Sequence, residues 1–200
     1  MSYEIPGTDL EMICEALKAS PDPEVQRARN QLYSQCLTED LKRFDPPEEF
    51  KDYIRKLSAY LKVNFRLEDW AQHLGFREAD LEAVPGAQVH ACIQSNRTYL
   101  YFTLTICPVM LELWRKKDFV TIGFDLCHEF CHILTDPIVA FALRDVPPSH
   151  EPMIQEVNER QVQRFSVIIG TSLPDQWWMP EQLDAWIAKH PEVVLCSPSL

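Results

Sequence analysis

Apolar positions along the chain change their period more than once, and the changes lay out its elements. From Pro47 the run EEFKDYIRKLSAYLKV places Phe50, Ile54, Leu57, Tyr60 and Leu61 at the spacing of one helix face. Further on the period falls to two. Trp70, Leu74 and Phe76 lie at even spacing, and Val89, Ala91 and Ile93 alternate with polar or small residues. The stretch TYLYFTLTI (98–106) is β-branched and aromatic, as strands are. These runs predict a small three-stranded sheet over roughly 69–77, 87–95 and 98–106, with Ser95-Asn96-Arg97 as a tight turn.

After Pro108 a linking segment, VMLELWRKKDF, leads into TIGFDLCHEFCHILTDP. Asp136-Pro137 predicts the end of that helix, because the residue before proline disfavours helical backbone. A Pro-rich loop (Pro147, Pro148, Pro152) precedes a helix over IQEVNERQVQRFSVII (154–169), closed by Gly170, and a last short helix starts near Pro180. Residues 8–45 also look helical, interrupted at Ser20-Pro21-Asp22-Pro23. The expected organisation is an N-terminal helical extension, 1–45, and an α+β domain over 46–200.

Composition narrows the classes. Apolar residues make up 46% of the 200, enough for a packed core. The formal net charge of −11 argues against nucleic acid and against anionic membrane surfaces, both of which need an excess of Lys and Arg. No apolar stretch approaches the ~20 residues of a membrane span. The start MSYEIPGTDLEM has acids and a proline where a secretory signal needs a basic start and an apolar run. The 7 cysteines form no CxxC pair. The expectation is a cytoplasmic chain with reduced thiols, in a host cytoplasm if it is viral, each cysteine reading first as a small buried hydrophobe.

His128-Glu129-Phe130-Cys131-His132 is H-E-x-x-H. On a helix, residues four apart lie one turn apart on the same face, so two imidazoles can converge on one zinc ion. The intervening Glu129 reaches a water beside the metal and can take its proton. Ile122, Phe124, Leu126, Phe130, Ile133 and Leu134 flank the motif and predict a buried helix. Cys127 and Cys131 repeat the i, i+4 spacing about 100° around the helix, which suits core packing rather than the same ion.

A catalytic zinc takes three protein ligands and leaves one position open. Asp136 is poorly placed, since positions 128, 132 and 136 span about 12 Å of helix rise. Glu159 on the downstream helix is the preferred third ligand and Glu156, one turn earlier, is the alternative. His150, in the preceding loop, is a candidate ligand or transition-state donor.

The pieces LEDWAQHLGF, YLYFTLTICP, HEFCHILTDP and NERQVQRF, in that order over about 47–170, resemble the zincins of gluzincin type, especially the compact metallopeptidases common in phages and prophages. The last piece is also similar to the Glu-x-x-Ala-x-x-Phe stretch of the ImmA/IrrE peptidases, with Glu159 and Phe165 at the marked positions and Val162 in place of Ala. Cys131 stands where Gly is frequent before the second His. The resemblance implies a minimal zincin-like domain whose sheet packs on the H-E-x-x-H helix and a Glu-bearing helix. It implies His128, His132 and Glu159 as zinc ligands, Glu129 as the base, and an intracellular protein or peptide substrate pairing along strand 98–106 as an edge. The competing expectations are a catalytically silent zincin-fold scaffold of a phage or mobile element, in which zinc contributes folding energy, and a metal-free domain.

Overall fold

The computed structural model describes residues 44–77, 89–97, 100–144 and 146–193, without the side chains of Asn96, Asp136, Pro148 and Pro152. The chain separates into Met1–Lys42 and Arg43–Leu200. The expected helices over 8–45 lie outside the described residues up to residue 43; Phe44 and Asp45 are described and are not helical.

Helix α1, Glu48–Asn64, follows Pro47 and buries the face anticipated for it: Phe50, Ile54, Leu57 and Leu61 are fully enclosed and Tyr60 nearly so. Three strands follow, β1 (Ala71–Phe76), β2 (Ala91–Asn96) and β3 (Tyr101–Ile106). Leu74, Phe76, Phe102, Leu104, Ile106 and Ala91 are buried, and the register aligns Leu74 with Leu104, Phe76 with Ile106 and Ala91 with Ile106. That apolar face packs on helices. The Phe102 ring meets Phe130 edge-on at 5.4 Å, and Gln72 donates to the Ser58 hydroxyl of α1.

The strand order is β1-β3-β2, with β1 parallel and β2 antiparallel to β3. This overturns the expectation that 98–106 is an edge. β3 is hydrogen-bonded on both sides, so its backbone has no free row of donors and acceptors for a further strand. The outer strand that packs against the H-E-x-x-H helix is β2. Ser95 and Asn96 belong to β2 rather than to the turn, and Leu100 adopts a positive φ of 49° just before β3.

Pro108 opens a short helix rather than a linker: α2, Pro108–Arg115, has the proline in its first turn, where no N–H is needed. Helix α3, Phe119–Ala142, is capped by Asp118, whose carboxylate accepts from the Thr121 backbone at 3.2 Å. It buries Ile122, Leu126, Cys127, Phe130, Cys131 and Ile133. It does not stop at Asp136-Pro137 but continues through Pro137 to Ala142. The Ile133 carbonyl, which Pro137 cannot serve, accepts from the Arg97 guanidinium instead.

A 3-10 turn, Pro148–His150, precedes α4, Glu151–Ser172, which packs on α3. Gly170 does not end α4; it lies within it and is buried, because a Cβ there would sit 2.5 Å from the Phe124 ring of α3. The indole of Trp177 donates to the Gly170 carbonyl at 2.9 Å, satisfying one of the last-turn carbonyls of α4. The last helix, α5 (Pro180–Lys189), packs on α1 and begins where the sequence places it. The described part is thus α+β with a three-stranded mixed sheet, and no helix in it is long and apolar enough to cross a membrane.

Candidate metal centre

The α3–α4 pairing sets the site. Cys127 Sγ donates to the Ser166 carbonyl at 3.6 Å across the helix contact, and both residues are buried. Two turns of α4 earlier, Glu159 faces the imidazoles of α3. Its Oε2 lies 3.4 Å from His128 Nε2 and its Oε1 3.5 Å from His132 Nε2. The two imidazole nitrogens are 3.2 Å apart, with the rings inclined at 74°.

These separations have a direct chemical reading. Zn–N and Zn–O bonds of about 2.0–2.2 Å at tetrahedral angles place neighbouring ligand atoms about 3.3–3.5 Å apart. The 3.2 Å between the two nitrogens, and the 3.4 and 3.5 Å from each nitrogen to its own oxygen of Glu159, are close to that spacing. These atoms are ring nitrogens and carboxylate oxygens, whose lone pairs repel at this distance unless a proton or a cation lies between them. The donor set therefore fits zinc. Glu129 offers a carboxylate oxygen within 4.8 Å of both imidazole nitrogens, close enough to share a water with them. The Glu159 side chain is 56% exposed, so one side of the triangle opens to solvent.

Glu156, the alternative ligand, is not brought to the triangle. It forms an ion pair with Arg160 on the exposed side of α4. His150 stands at the N-cap position of α4 without a side-chain cap bond, exposed and nine residues from Glu159, about 13 Å of helix rise away. It is not gathered into the site either. Cys127 and Cys131 are wholly buried on the α4 side of α3. The Cys127 thiol is pushed far up by its hydrogen bond with Cys131 and by burial, which keeps it protonated and chemically quiet.

One pair at the His128–His132 face of α3 has no counterpart in the sequence motifs. Oδ2 of Asp125, one turn before His128 and Glu129, lies 2.5 Å from Nδ1 of His90, the residue just before β2. The two are 35 residues apart, and neither stands in a recognisable motif. The available signal was the helical face alone, since Asp125 is four residues before Glu129.

No family model, curated protein or solved structure matches this chain.

Proposed function

We propose that this chain is a zinc-dependent peptidase of the minimal zincin type, acting on an extended protein or peptide segment. The observation that carries the reading is the convergence of His128, His132 and Glu159 from two helices, each imidazole nitrogen facing one oxygen of the same carboxylate at a separation close to that of neighbouring zinc ligands. A zinc ion held there would supply Lewis-acid polarisation and an acidified water, with a pKa near ~7.

The chain's own residues do the rest. Glu129 accepts the proton of the attacking water at its carboxylate, placed by the same helix turn that presents the imidazoles. The exposed flank of Glu159 leaves a side for water and substrate; a purely structural zinc is closed by a fourth protein ligand. β2 is the outer strand of the sheet next to α3, so an extended substrate pairs there rather than along 98–106.

The test is metal content and cleavage together. Zinc-replete protein should carry one zinc per chain and cleave members of a quenched-fluorescence peptide library. Glu129→Gln should keep the zinc and lose the cleavage. A chain without zinc, or a Glu129→Gln variant with wild-type turnover, overturns the proposal. Zinc bound at full occupancy with no peptide cleaved would favour the silent scaffold instead.

A further inference from the structure

We propose that His90, held by Asp125, is a further catalytic residue of this site, donating a hydrogen bond from Nε2 to the substrate carbonyl oxygen as negative charge develops on it. The inference rests on the peptidase reading above.

Position comes first. At 100° per residue, Asp125, His128, Glu129 and His132 fall within an arc of about 100° on α3. Asp125 therefore faces the same cleft as the candidate ligands and base, about 6 Å of helix rise from Glu129. β2 runs along this face. The His90 carbonyl accepts from the Cys107 backbone at 3.0 Å, so His90 continues the β2–β3 ladder. His90 and Cys92, two apart, therefore point to the same side of the strand. The Cys92 thiol is pushed up by burial and by the charge of Glu129, so the base lies near this part of β2. Asp125 with His90 and Glu129 with Cys92 thus follow one another in the same order along α3 and β2.

Chemistry comes second. A carboxylate only accepts, so the 2.5 Å contact commits the Nδ1 hydrogen of His90 to Asp125 and fixes the ring's orientation. The ring offers its remaining nitrogen, Nε2. A ring carrying hydrogens on both nitrogens donates from Nε2. The His90 side chain is 26% exposed and that of Asp125 31%, which gives substrate access to the pair. A donor aimed at the developing oxyanion is what acyl-transfer sites need besides a base. His150, the donor suggested by sequence position, lies about 13 Å along α4 from Glu159.

The experiment uses the zinc-loaded full chain and one peptide that the wild type cleaves from the quenched-fluorescence library. His90→Ala should lower kcat about 100-fold or more, with KM changed less than about threefold, as loss of a donor acting only in the transition state does. His90→Gln, which keeps a neutral donor near the position of Nε2, should recover about tenfold of that loss; a packing role would show no such recovery. Asp125→Asn should lower kcat alone but add nothing to His90→Ala, since it acts through that ring. Zinc content and melting temperature of each variant establish that the centre and fold persist. A His90→Ala variant with kcat within threefold of wild type, or losses that simply multiply in the double variant, overturns this inference and leaves the peptidase reading standing. A wild-type chain that cleaves no peptide overturns both.

Discussion

The guanidinium of Arg97 donates to the backbone carbonyl of Ile133 at 2.6 Å. In an unbroken helix that carbonyl would accept from the N–H of residue 137, and residue 137 is a proline. The turn after β2 thus supplies the donor that Pro137 withholds, beside His132, and α3 runs on to Ala142.

Removing Arg97 therefore strands a carbonyl. Arg97→Ala should cost about 1–3 kcal/mol, the usual penalty for an unsatisfied polar group in a partly buried place. Pro137→Ala restores the helix's own N–H, so on that background Arg97→Ala should cost less than about 1 kcal/mol. Urea unfolding of the four proteins closes the cycle. Additive losses would show that Arg97 does not compensate for the proline.

That bond also marks where sequence reading runs out. The H-E-x-x-H pair and the buried face of α1 depend on spacing within one helix, and the local period shows both. Glu159 could be preferred because its helix returns over α3, though only the folded pair separates it from Glu156. Strand order is different. Whether β3 lies at an edge or in the centre depends on which strand finds it across a long connection, and no pattern inside TYLYFTLTI encodes that. Pro137 reads as a stop until a donor arrives from 36 residues away, and Gly170 reads as a stop until Phe124 occupies the space of its side chain. His90 and Asp125 are ordinary residues until the sheet is laid on the helix.

Gly170 offers a test with opposing signs. Helix propensity alone would make Gly170→Ala stabilising by about 1 kcal/mol. The added Cβ would meet Phe124 Cε1 at 2.5 Å, and overpacking of this kind costs about 1–3 kcal/mol. The expected outcome is net destabilisation and a lower melting temperature. On a Phe124→Ala background the same change should become neutral or stabilising. A stabilising Gly170→Ala in the wild-type chain would show that α4 does not need this close approach to α3.

Stability should fall in alkaline solution. Cys127 is raised by its hydrogen bond with Cys131 and by burial, and Tyr53 is raised by burial. The Tyr53 hydroxyl also donates to the Trp178 carbonyl at 3.0 Å, which requires its proton. Both groups keep their protons in the folded chain where the unfolded chain has lost them, from about pH 8.5 for a thiol and about pH 10 for a phenol. The unfolded state then binds fewer protons, so stability declines as pH rises, by up to about 1.4 kcal/mol per pH unit for each group. Urea midpoints at pH 7, 8.5 and 10 should fall in that order, and Cys127→Ala should flatten the decline between the last two. A midpoint independent of pH over this range would contradict the assignment.

The candidate ligand set separates two glutamates one turn apart. Glu159 closes the triangle with both imidazoles, whereas Glu156 is engaged by Arg160 on the exposed side of α4. Losing a group that merely supports a ligand costs about 10–100-fold in metal affinity, so losing a ligand should cost at least as much. Glu159→Gln keeps the side chain's size and removes its charge. It should weaken zinc binding by about 100-fold or more in competition with a chromophoric chelator. Glu156→Gln should leave it within about twofold. Equal losses would point to the summed negative charge of α4 rather than to direct coordination, and no loss in Glu159→Gln would remove Glu159 from the centre.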